Sequence, residues 1–130
     1  MALTLFLADS EVSSVTAAGP GLRVRLAAAS VEREAAPPST SATAGYCTGV
    51  VLRLDGVVVH ERAEPAIGRV RAGVLRLDGR PVRSCALPAV FNAPVDLELA
   101  FANGASLRVS AQGLAVGFEG EADFHESLAC

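Results

Sequence analysis

Glu119, Glu121, Asp123 and His125 occupy alternate positions in one acidic stretch of the chain. In extended backbone, alternate side chains share a face, so three carboxylates and an imidazole would point the same way. Oxygen and imidazole donors suit a divalent metal ion. Alternate strand positions lie roughly 6.5–7 Å apart, however, so a straight row of four cannot close on one ion. A metal site would need Glu121, Asp123 and His125 together with His60 or Cys47 from another strand, or help from the long loop near Tyr46. The chemistry implied is that of a metal-dependent hydrolase, in which the ion lowers the pKa of a bound water. The competing expectation is a solvated acidic segment over 119–130 with no metal and no cofactor, since exposed carboxylates are ordinary. Asp123 and Glu126 also have capping-box spacing, which would place a last helical turn over 123–128 and disperse the row.

A second constellation is cationic. Leu-Arg-Val or Leu-Arg-Leu recurs so that Arg23, Arg53, Arg76 and Arg108 take similar places in their strands. Were those strands neighbours, the guanidinium groups would form a stripe able to hold phosphate or carboxylate. The simpler expectation is a solvent face whose charges pair across strands, as Glu98 and Arg108 would.

Nucleophilic catalysis finds little support. His60 and His125 are the only histidines, and neither accompanies a G-x-S-x-G elbow. Cys47, Cys85 and Cys130 are odd in number and lack C-x-x-C spacing, which argues against a disulfide framework or a structural zinc site. Phosphate-cradling glycine motifs are absent, and the Asp-Gly pairs lack the further acidic positions of a calcium loop.

Composition narrows the partners. Of 130 residues, 51% are apolar and only 5% aromatic, so Val, Leu and Ala must fill the interior. The net charge of −3 gives no long-range attraction for nucleic acid or an anionic membrane. One Tyr and five Phe are too few to provide stacking platforms for single strands as well as a core. Apolar runs are interrupted by Arg, Asp or Glu before membrane-spanning length. The opening stretch from Met1 to Leu7 has no basic residue before it and reads as a first strand rather than a signal peptide. A cytoplasmic protein is the expectation.

The elements that must position these residues are strands. Val-Leu-Arg-Leu-Asp-Gly occurs twice, as Val51 to Gly56 and Val74 to Gly79, and each copy alternates before stopping at Asp-Gly. Such a stop predicts a two-residue β-hairpin. At Asp55-Gly56 this would pair Leu54 with Val57 and leave a mixed face of Val51, Arg53, Val58 and His60. At Asp78-Gly79 it pairs Leu77 with Arg80 and Leu75 with Val82. At Asn103-Gly104 a three-residue loop with a Gly bulge pairs Leu97 with Val109, Leu99 with Leu107 and Glu98 with Arg108, keeping the faces pure.

Apolar parity changes near Ala72-Gly73 and at Gln112-Gly113, marking a bulge or bend at each. Pro81 cannot donate to a ladder, so its strand belongs at an edge. Residues 34–46, rich in Pro, Ser and Thr, read as a long loop.

The expected fold is one domain over 1–130, all-β, a mainly antiparallel sandwich or flattened barrel of about seven to nine strands. The expected function is a non-catalytic binding or self-associating module. Arg53, Val58 and His60 are its candidate contact residues, and a homo-oligomer or protein partner covers the mixed face.

Overall fold

Alternation is realised as strand nearly throughout the computed structural model, which describes residues 2–35 and 41–127. The strands are β1 (Leu3–Ala18), β2 (Gly21–Arg33), β3 (Thr43–Asp55), β4 (Val58–Ala63), β5 (Gly68–Leu77), β6 (Arg80–Val82), β7 (Ser84–Leu87), β8 (Ala89–Phe91), β9 (Val95–Phe101), β10 (Ser106–Ala111) and β11 (Gly113–Glu126). These are eleven strands among the described residues, against about seven to nine read from turn spacing. The difference lies in β6, β7 and β8, which have only three or four residues each. No helix among the described residues is long and apolar enough to cross a membrane.

All pairings are antiparallel, in the order β4-β10-β9-β5-β1-β2-β3-β11-β8, with β6 on β5 and β7 on β1. The sheet is not closed into a barrel. One half is β1-β2-β3-β11 and the other is β5-β9-β10-β4. Glu11 and Val12 of β1 join the halves by pairing with Arg69 and Gly68 of β5. The apolar faces bury Leu5, Val24, Leu52, Leu97, Phe101 and Val109 in a single core. Where β1 packs on β5, a Cβ on Gly73 would stand 2.6 Å from Leu7 Cβ, so glycine is required by this close approach.

Two hairpins follow the turn chemistry. β5 and β6 pair Leu77 with Arg80 and Leu75 with Val82 around Asp78-Gly79. β9 and β10 pair Leu99 with Leu107 and Leu97 with Val109. Gly104 there has φ +89°, and Phe101 N–H donates to Ala105 O at 2.9 Å to close the three-residue loop. The bulge expected near Ala72-Gly73 falls between Val70 and Ala72. Pro81 lies on a strand that pairs with β5 alone.

Asp55-Gly56 is not a hairpin. β3 pairs with β2 and β11, whereas β4 pairs with β10. The chain therefore crosses here from one half of the sheet to the other. Gln112 makes the same crossing between β10 and β11, which accounts for the parity change at Gln112-Gly113. The two crossings run side by side: Asp55 pairs with Gly113 before the corner and Val58 with Ser110 after it. Gln112 N–H donates to Asp55 O at 2.8 Å between them. One two-stranded ribbon, β3/β11 continuing as β4/β10, thus bends over a corner.

The connection after β2 is also shorter than the loop read over 34–46. Thr43 to Tyr46 lie in β3 and pair with Arg33 to Ser30, because Gly45 lets the ladder continue beneath the Phe124 ring. Residues 36–40 lie outside the described residues.

Candidate functional site

The acidic row is strand and not helix or tail over 119–126, because Asp123 to Glu126 pair with Thr48 to Gly45. The capping-box spacing of Asp123 and Glu126 is therefore coincidental. Leu128 and Cys130 lie outside the described residues. Phe124 turns toward the core and carries Arg33 on its ring at 4.7 Å. Asp123 and His125 stay exposed on the other face.

The row is nevertheless broken. Phe118 pairs with Val50 but Asp123 pairs with Thr48, so residues 119–122 bulge from the ladder, with Gly120 at φ +89°. Asp123 Oδ2 lies 3.0 Å from His125 Nε2 and accepts from Thr48 Oγ1 at 3.1 Å. The His125 and Thr48 hydrogen bonds hold its carboxyl below the usual range. His125 stacks on Tyr46 with ring centroids 4.9 Å apart. Among the described residues, no three His, Cys, Asp or Glu side chains are placed to hold a metal ion. Asp123 and His125 come together, but Glu121 does not join them in such a group. Cys47 is buried, and that burial, with the nearby Asp123 charge, pushes its thiol above its ordinary pKa. Cys85 is pushed up to about 11 by burial. Both thiols are thus disfavoured as free thiolate nucleophiles.

Glu119 serves a different cluster. Arg23 and Arg53 are direct neighbours across β2 and β3, and Arg25 lies two residues further along. Arg25 donates to Glu119 through Nε at 3.3 Å and Nη2 at 3.1 Å, and Arg53 Nη2 stands 3.6 Å away. The Arg25 hydrogen bond is the main reason the Glu119 carboxyl sits below its usual pKa. The four-arginine stripe is therefore not formed. Arg76 and Arg108 belong to the other half of the sheet, with β9 between their strands. Glu98 is register partner of Arg108, yet its ion pair goes to Arg76 at 3.1 Å.

β4 carries Val58 and His60 away from Val51 and Arg53, so the mixed face built from all four does not exist. Val51 is 1% exposed within the single chain, flanked by Arg25 and Gly117, and needs no partner to cover it. Val58 and Val59 remain 58% and 49% exposed.

His60 Nε2 lies 2.6 Å from Ser110 Oγ, which donates to Asp96 Oδ1 at 2.5 Å. These are the residue types of a hydrolytic triad in the wrong order. Serine has one proton, and Asp96 receives it, so His60 is left to donate rather than act as its base. Asp96 and Ser110 escaped sequence reasoning, although the register pairing Leu97 with Val109 also sets Asp96 opposite Ser110. His60 joins them only because β4 crosses the corner. No known family model matches the chain, and neither the curated proteins nor the solved structures include a significantly similar one.

Proposed function

We propose that the chain is a non-catalytic module acting by contact, with β4 as the contact strand and a second copy of the chain as its partner. The observation that carries this reading is β4 itself: it is an end strand, all six residues are exposed, and two adjacent valines are among them. An unpaired edge is a template for strand addition, and twofold association is its commonest closed form. The β4/β10 ladder slips at His60, where Glu61 pairs with Arg108 and Val59 with Val109, and the side chains of His60 and Glu61 already bond Ser110 and Ser106. The exposed Val58 and Val59 are therefore the side chains free to meet a partner. A second copy repeats the same pair of exposed valines, so apolar contact of like with like favours it over an unrelated polar strand.

Part of the edge is already engaged. Val57 N–H donates to Pro20 O at 2.9 Å, and Arg62 Nη2 reaches Val15 O at 3.0 Å. Arg62 must swing outward for the pairing. The free thiols Cys47 and Cys85 accord with a reducing cytoplasm.

Sedimentation over a concentration series tests the proposal. The native chain should show a monomer–dimer equilibrium that Val59→Lys shifts to monomer, with the far-UV circular dichroism of a β protein unchanged. A strict monomer up to the highest soluble concentration sinks it.

A further inference from the structure

Like charges directly opposite on a sheet are destabilising, so natural ladders ordinarily separate them. Arg23 and Arg53 stand directly opposite one another, with Arg25 beside them. One carboxylate, Glu119, answers all three guanidinium groups, and among the described residues Arg23 makes no ion pair. An open cavity of about 180 Å³ adjoins Arg23 and Arg53 on the side away from Arg25, bounded by Ala18, Gly21 and Asp55. Arg23, Arg25 and Arg53 carry three positive charges against the single charge of Glu119, so with that carboxylate moved aside a dianion would answer the cluster better than Glu119 does.

Glu119 is placed to move. It sits at the start of the 119–122 bulge, and Gly117 and Gly120 on either side have nothing near their Cβ positions. The carboxylate can leave without breaking a pairing of the β3/β11 ladder. Its two-oxygen contact with Arg25 is the contact a phosphate would make, since guanidinium binds carboxylate and phosphate in the same forked geometry.

We propose that Arg23, Arg25 and Arg53 form a binding site for the dianionic phosphate of a phosphate monoester, and that Glu119 is an internal occupant which the ligand displaces. The site lies on a different half of the sheet from β4 and does not depend on self-association.

Titration with inorganic phosphate at ionic strength held constant with chloride tests this, read from the arginine Nε–Hε resonances. Saturable shifts at Arg23, Arg25 and Arg53 are expected. Glu119→Gln removes the competing charge and should tighten binding about tenfold, as freeing an occupied site does. Arg23→Ala with Arg53→Ala should abolish the response at Arg25 while circular dichroism stays unchanged. Should that double variant fail to fold, the Glu119→Gln comparison decides alone. A linear, non-saturating drift, or a Glu119→Gln chain that binds no more tightly, overturns the proposal.

Discussion

The stretches Val51–Gly56 and Val74–Gly79 have identical sequences and sit in opposite halves of the sheet. In the second, Asp78 and Gly79 both take positive φ, 53° and 83°, and the chain returns along β5 as a hairpin. In the first, only Gly56 is positive, at 58°, and the chain leaves β3 to run beside β10. The surroundings differ more than the turn. β3 has long ladders on both edges, to β2 and β11, so Val57 to Val59 find no edge to return along. The end of β5 has β9 on one side and room for β6 on the other. An Asp-Gly pair determines that the chain turns, while the free edge available determines where it goes.

That difference can be tested residue by residue. The largest effect should come from the equivalent leucines. Leu54 is fully buried at the corner, whereas Leu77 is only half-buried. Leu54→Ala should cost about 2–5 kcal/mol, the range for truncating a buried leucine, and Leu77→Ala clearly less, as measured by urea midpoints. Equal losses would mean that the two copies contribute alike and the corner has no special weight.

A smaller effect is expected at the glycines. A Cβ on Gly79 meets nothing within 4 Å, so Gly79→Ala carries only the left-handed dihedral cost of about 1–2 kcal/mol. A Cβ on Gly56 would also stand 2.9 Å from Gln112 Cδ, the far end of a flexible side chain. Gly56→Ala should therefore be only modestly worse, and Gln112→Ala should remove the excess. Thermal melts of the three variants and the double variant separate the two contributions.

The smallest effect concerns the arginines of the two copies. Arg53 and its neighbour Arg25 face Glu119, whose folded-state pKa is lowered. A lowered carboxylate pKa contributes stability above the unfolded value of about 4.3, and that contribution is lost as pH falls through the folded value. The melting temperature of the native chain should exceed that of Glu119→Gln near neutral pH, and the gap should close on acidification through this window. A gap that widens in acid contradicts the ion-pair account.

Local patterns carried much of the fold. The registers at Asp78-Gly79 and Asn103-Gly104 were legible because turn chemistry and apolar alternation act on the same few residues. The corner was not, because nothing within Val51–Gly56 reports that β2 and β11 occupy both edges of β3. Asn103 shows the same limit. Its turn is local, but its Nδ2 also donates to Pro65 O at 3.0 Å and Ile67 O at 3.2 Å, contacts that no pattern announces. For the sites, shared parity of Glu119, Asp123 and His125 was readable, but the bulge that divides Glu119 from the other two was not. Arg23 and Arg53 meet because their strands are consecutive and adjacent. Arg76 and Arg108 do not, because β9 lies between them.

The position of β11 also bears on the order in which the chain can be assembled during synthesis. β1, β2 and β3 are consecutive and pair as a meander, so their ladders can form as soon as residue 55 has emerged. The other edge of β3 then stays unpaired until residue 113 and beyond arrive, and β8, made earlier, waits for the same strand. The place between β3 and β8 is thus filled by the latest-made strand among the described residues. Until then a long apolar strand edge is open to other nascent chains, the exposure that makes partly made β proteins depend on chaperones.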